Sequence, residues 1–134
     1  MILVDAGPLV AIMDADDEHH AKCMSTLQNA RGPLATVWPA LTEAMYLLSD
    51  QFEAQEKLLQ MVEVGPLKLL ALEVNDLPRI RELMRHYRDL PMDFADAALV
   101  RVAEREGVRT IFTVDRRDFS VYRLHGRIRP TLIP

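Results

Sequence analysis

Asp93 and Asp96 stand three residues apart at the start of Asp93-Phe94-Ala95-Asp96-Ala97-Ala98-Leu99-Val100, a spacing that brings both carboxylates to one flank of a helix. At 100° per residue Asp96 falls among Leu99, Val100 and Ala103, on the apolar side, where an unpaired charge is expensive. Two carboxylates close together at a partly buried helix start repel each other unless positive charge lies between them. The helix dipole offers part of that charge, and a divalent cation would offer the rest.

The elements that must position these acids are legible in outline. Pro91 in front, Asp93 as N-cap and Gly107 just past the end delimit one helix of about a dozen residues. Arg101, Glu104 and Arg105 gather on the opposite arc, which reads as its solvent face. Ile2-Leu3-Val4 is a β-prone run ending in Asp5, and Ala6-Gly7-Pro8 then turns into a short helix with Pro8 at its first position. Further helices are expected from His19 to Ala30, from Pro39 to Leu48, from Phe52 to Val64 and from about Asp76 to a point before Pro91. Further strands are expected at Leu34–Val37, Lys68–Leu72, Arg109–Val114 and Ile128–Ile133. Five short strands separated by helices predict an α/β fold built on an open parallel sheet. Ligands of such sheets bind beyond the carboxyl ends of the strands, near a switch in strand order. Asp5 and Asp115 end their strands on that side, and a helix antiparallel to the sheet normally begins near the end where the preceding strand finished, which permits Asp93 and Asp96 to join them.

Each acid also fits a plain structural role. Asp5 serves equally as a turn or cap residue, Asp93 as an N-cap, and Glu43 as a solvent-facing residue near Asp50. Asp115 opens the turn Asp115-Arg116-Arg117-Asp118, and Asp118 reads as the cap of the next segment. Asp96 is the exception, because its flank is otherwise apolar. Competing chemistries find less support. The five glycines form no Gly-x-Gly and no phosphate-cradling loop, which argues against a nucleotide cofactor. There is no Gly-x-Ser-x-Gly elbow, and His19, His20, His86 and His125 have no zinc spacing. A phosphoaspartate receiver has a similar size and sheet, but Lys22, Lys57 and Lys68 are the only lysines and none lies near the last strands.

Length and composition set the outer bounds. With 134 residues, 49% of them hydrophobic, the chain suits one globular domain spanning residues 1–134. Apolar runs such as Ala97–Val100 are far too short for a membrane span, and the single cysteine, Cys23, reads as a small buried apolar residue of a reducing compartment. A cytoplasmic protein is expected. The net charge is −4, yet residues 1–75 carry four Lys or Arg against eleven acids while residues 76–134 carry twelve Arg against nine. The second half therefore offers phosphate contacts, although solvated helix faces account equally for most single arginines.

Four pieces in order along nearly the whole chain complete the reading: Ile2-Leu3-Val4-Asp5, Leu41-Thr42-Glu43, Asp93-Phe94-Ala95-Asp96-Ala97-Ala98-Leu99 and Thr113-Val114-Asp115-Arg116-Arg117-Asp118-Phe119. With them the chain resembles the PIN-domain ribonucleases, most closely the VapC-like toxins of type II toxin–antitoxin systems. The resemblance implies a central parallel five-stranded sheet flanked by helices on both sides and an acidic pocket for Mg²⁺ or Mn²⁺. Asp5, Glu43, Asp96 and Asp115 match the family's acidic catalytic set, Asp93 stands beside them as an additional metal ligand, and Thr113 matches a small hydroxyl residue lining the pocket. It also implies a homodimer and a small antitoxin protein whose tail blocks the pocket. All-oxygen ligation suits a hard cation, which activates water in line with a phosphodiester, and Arg116 and Arg117 are the candidates to hold the RNA backbone. The expected activity is metal-dependent hydrolysis of single-stranded or looped RNA. The alternative is a PIN-like module that binds RNA or protein without cutting.

Overall fold

The structure is a computed structural model and describes residues 1–134. Five parallel strands, β1 (Ile2–Val4), β2 (Leu34–Val37), β3 (Leu67–Leu70), β4 (Thr110–Phe112) and β5 (Thr131–Ile133), form one sheet in the order β3-β2-β1-β4-β5. In register, Leu3 lies beside Ala35 on one side and Ile111 on the other. Side chains alternate faces along a strand, so these three enter one core layer while Ile2, Val4 and Phe112 enter the opposite one. Strands buried on both faces need apolar residues at every position, which is why Ile2-Leu3-Val4 has no polar member.

Helices cover both faces. The layer holding Val4 and Phe112 receives α1 (Ala6–Met13), α2 (His20–Asn29), the Leu41 and Ala44 side of α3 (Trp38–Leu47), and α4 (Phe52–Val64). The layer holding Leu3 and Ile111 receives α5 (Leu77–His86) and α6 (Phe94–Glu106). Cys23 sits fully buried on α2 as an apolar residue. No helix is long and apolar enough to cross a membrane.

Four expectations need correction. Pro8 is the third residue of α1, because Asp5 itself caps the helix and its first turn begins at Ala6. Arg101, Glu104 and Arg105 are not a free solvent face: Glu104 is buried and the two arginines are half-buried. They meet the start of α5, where Arg101 and Arg105 grip the buried Asp76 at 2.8 Å each and Arg79 grips the buried Glu104 at 2.8 Å. A charged arc is apolar-free and still interior when another element supplies counter-charges, a pairing that helical periodicity cannot reveal. Asp118 caps nothing: it lies inside a short helix, α7 (Arg116–Phe119), whose N-cap position is Asp115. The outer strands are also shorter than expected, with Thr131–Ile133 alone forming the last.

Candidate active site

The chain leaves β1 to pair β2 on one side and returns to place β4 on the other, so the order switches between β1 and β4. The residues immediately beyond these two strands meet there. The Asp5 N–H donates to the Phe112 carbonyl at 2.9 Å, extending the ladder by one bond. Asp5 then turns the chain into α1, its Oδ1 accepting from the Ala6 N–H at 2.8 Å. Thr113 joins the two segments: its hydroxyl donates to Asp5 Oδ2 at 2.9 Å and accepts from the Asp115 N–H at 3.0 Å. Gly7 lets them close up, since a Cβ there would stand 2.5 Å from Val114 Cγ2.

The start of α6 arrives at the same place. Asp93 caps it by accepting from the Asp96 N–H at 2.8 Å, and the Asp93 N–H donates back to Asp96 Oδ2 at 3.4 Å, a reciprocal capping box. Gly107, at φ 68°, closes the other end of the helix. Asp96 Oδ2 also accepts from the hydroxyl of the buried Tyr122 at 3.1 Å. All five acids singled out in the sequence, Asp5, Glu43, Asp93, Asp96 and Asp115, line one cleft of about 290 Å³, and Asp118 joins them. No Lys, Arg or His lines it. Asp5 and Asp96 are buried at 7% and 8% exposure, Glu43 is half-buried, and Asp93 and Asp115 form the exposed rim.

Electrostatics follow from that layout. Burial, reinforced by the charges of Asp93 and Asp115, pushes the Asp5 carboxyl up to about 6 against the pull of the Ala6 N–H and the Thr113 hydroxyl. Burial and the neighbouring Asp93 and Asp5 push Asp96 up to about 8. Glu43 rises by burial and by Asp93 and Asp5, and Asp118 by burial and by Asp115. The Tyr122 phenol, buried against Asp96, is held firmly protonated.

A donor set made only of carboxylates, two of them buried and destabilised by one another, fits a hard divalent cation. No three of these side chains are already gathered into a closed metal cage. Two residues escaped the sequence reading. Asp118 had a signal, because it lies three residues after Asp115 on one helical turn. Tyr122 had none, since its partner is set by tertiary packing. Of the two arginines expected to hold RNA, Arg116 donates to the carbonyls of Leu132 and Pro134, whereas Arg117 is exposed. Beside the cleft, and sharing Glu43 and Asp93 with it, runs an apolar groove of about 850 Å³ lined by Trp38, Tyr46, Leu72 and Phe94.

A family model described as PIN domain matches residues 2–124. The chain belongs to the PIN domain family. This PIN domain is 29% identical over 135 residues to Ribonuclease VapC26 of Mycobacterium tuberculosis (strain ATCC 25618 / H37Rv), covering 99% of this chain and all of that protein. Its fold superposes on the crystal structure of Mycobacterium tuberculosis VapC20, described as a Sarcin-Ricin loop cleaving toxin. There the TM-score is 0.80 and the identity 16%, with 87% of this chain and 91% of that one covered. It also matches VapBC2 from Rickettsia felis bound to a DNA fragment from its promoter. That match has a TM-score of 0.65 at 16% identity and covers 98% of this chain and 97% of that one. The parallel five-stranded sheet, the helices on both faces and the family expected from the sequence all hold.

Proposed function

We propose that residues 1–134 act as one PIN domain that hydrolyses single-stranded or looped RNA with Mg²⁺ or Mn²⁺, as the toxin of a toxin–antitoxin pair in the cytoplasm. The observation that carries this reading is the cleft itself: six carboxylates and no basic residue at the switch point of a parallel sheet, in a PIN domain related to a VapC ribonuclease. Asp5 and Asp96 would hold the cation from the buried floor, with Glu43, Asp93 and Asp115 completing the shell from the rim. When bound, the cation supplies Lewis acidity, making water a better nucleophile and stabilising the departing oxygen of the phosphodiester.

The chain's own residues do the rest. Thr113 fixes the Asp5 carboxylate, and the capping box fixes Asp96 against the helix start. Asp115 and Glu43, at the edge of the cleft, would accept a hydrogen bond from water. Arg117, on the turn next to Asp115, supplies a cation for the RNA backbone. The apolar groove of Trp38, Tyr46, Leu72 and Phe94 is the surface a second copy of the chain would cover, because it leaves the large side chains of Trp38, Tyr46 and Phe94 exposed side by side. A small antitoxin would reach the acidic cleft with a basic segment. A monomer by sedimentation at micromolar concentration would remove the dimer from this account.

The deciding experiment is cleavage of a pool of structured RNAs with Mn²⁺, with Mg²⁺ and with chelator, beside Asp96→Asn. The expected result is cleavage that requires metal and falls by at least about 100-fold in the variant. Metal-dependent cleavage that survives Asp96→Asn would overturn the assignment of Asp96. A folded, metal-binding protein that cuts no member of a broad pool would favour a module that binds without cutting.

A further inference from the structure

We infer that Tyr122 is a positioning residue, whose hydroxyl holds Asp96 Oδ2 so that Asp96 Oδ1 is the oxygen presented to a cation. This rests on the metal reading above and names a device within that site. Tyr122 has no exposure, and its ring is wedged edge-on between Tyr87, 5.0 Å away by ring centroids, and Phe119, 5.1 Å away. A ring caged by two others has little freedom, so its hydroxyl direction is set by packing. That hydroxyl donates to Asp96 Oδ2 at 3.1 Å, and the Asp93 N–H donates to the same oxygen at 3.4 Å. Both donors that the chain gives the Asp96 carboxylate therefore converge on one oxygen, and Oδ1 receives none. Outer partners of this kind orient ligating carboxylates, and losing one typically weakens metal binding about 10- to 100-fold.

Tyr87 provides an internal control. It touches the same ring, but its hydroxyl accepts from the Arg123 N–H at 3.0 Å and has no bond to Asp96. Tyr122→Phe keeps the ring and removes only the hydroxyl, so the metal-free protein should stay folded with a melting temperature lowered by only a few degrees. Its Kd for Mn²⁺, measured by calorimetry, should rise about tenfold, with a parallel fall in kcat rather than a rise in KM for RNA. Tyr87→Phe should leave the Mn²⁺ affinity unchanged. An Mn²⁺ affinity in Tyr122→Phe within about twofold of the parent would overturn the inference, as would an equal loss in Tyr87→Phe, which would implicate ring packing instead. Should Tyr122→Phe fail to fold, the unaltered chain still decides. During an Mg²⁺ titration the ring Cζ resonance of Tyr122 should move together with the Asp96 amide, and a Cζ resonance that stays fixed while that amide moves would overturn the inference. Parent protein that binds no Mn²⁺ would overturn the metal reading and this inference together. Parent protein that binds it while Tyr122→Phe binds it equally well would overturn this inference alone.

Discussion

The helix α6 carries a buried carboxylate near each end, and the two are treated in opposite ways. Near its C-terminal end Glu104 is pushed up by burial, but Arg79 and the His125 N–H more than reverse this and hold it below the usual carboxylate range. Asp76, packed on the same stretch of helix, is likewise raised by burial and brought lower by the Glu73 N–H, Arg101 and Arg105. At the N-terminal end Asp96 meets no guanidinium, only Asp93, Asp5 and two weak donors, and rises to about 8. One end satisfies its charge inside the chain; the other is left to be neutralised by a proton or by an external cation. The same residue type thus builds a clamp at one end and a binding site at the other, and the difference lies in what the neighbouring element brings.

The largest expected effect is at the clamp. Asp76→Ala leaves Arg101 and Arg105 facing each other beside an apolar layer, and should cost about 3 kcal/mol in urea unfolding at pH 7. Its Mn²⁺ affinity should match the parent, because the clamp lies at the opposite end of α6 from the cleft. A loss below about 1 kcal/mol would mean that the two half-buried arginines find water easily and the pairing is only a surface contact.

A smaller effect separates the two ends by pH. Carboxyls raised on folding bind protons in the native state that the unfolded chain has lost. The stability they contribute is present below about pH 4 and is lost as pH rises through about 6 for Asp5 and about 8 for Asp96. Asp76 and Glu104 have the opposite sign: their contribution is present above the ordinary carboxylate range and lost as pH falls through their lowered values. Metal-free protein should therefore lose stability steadily between pH 5 and pH 8, read as a falling melting temperature, and saturating Mn²⁺ should flatten that slope at pH 8. Asp96→Asn should flatten it without metal. A slope unchanged in that variant would place the strain elsewhere in the cleft.

How far the sequence reached follows the same division. The strands Ile2–Val4 and Leu34–Val37 and the helix Phe52–Val64 were legible because each is a continuous pattern punctuated by Pro, Gly or a cap. The cap at Asp93 was equally local. The rule that parallel sheets bind at their switch point brought Asp5 and Asp115 together, the family motifs added Asp96, and the fold places all three in one cleft. The clamp stayed hidden, since Arg101, Glu104 and Arg105 form an ordinary charged arc until α5 brings Asp76 and Arg79 onto it. Tyr122 was invisible for the same reason: its role depends on a hydroxyl meeting a carboxylate 26 positions earlier.

The smallest expected effect sharpens the comparison most, because it alters backbone spacing at the acidic end and touches no charge. Alanine at Gly7 would gain up to about 1 kcal/mol from helix propensity within α1. Its methyl, however, would stand 2.5 Å from Val114 Cγ2 and force the turn after β1 away from the segment after β4. Overpacking of this kind costs about 1–3 kcal/mol, so the net loss should be about 1 kcal/mol. Those two segments carry Asp5 on one side and Thr113 and Asp115 on the other, so separating them should weaken Mn²⁺ binding several-fold more than the stability loss alone would suggest. Adding Val114→Ala removes the obstructing methyl and should restore both quantities. If Gly7→Ala lowers stability yet leaves Mn²⁺ affinity intact, the rim acid Asp115 contributes little, and the buried pair Asp5 and Asp96 carries the site alone.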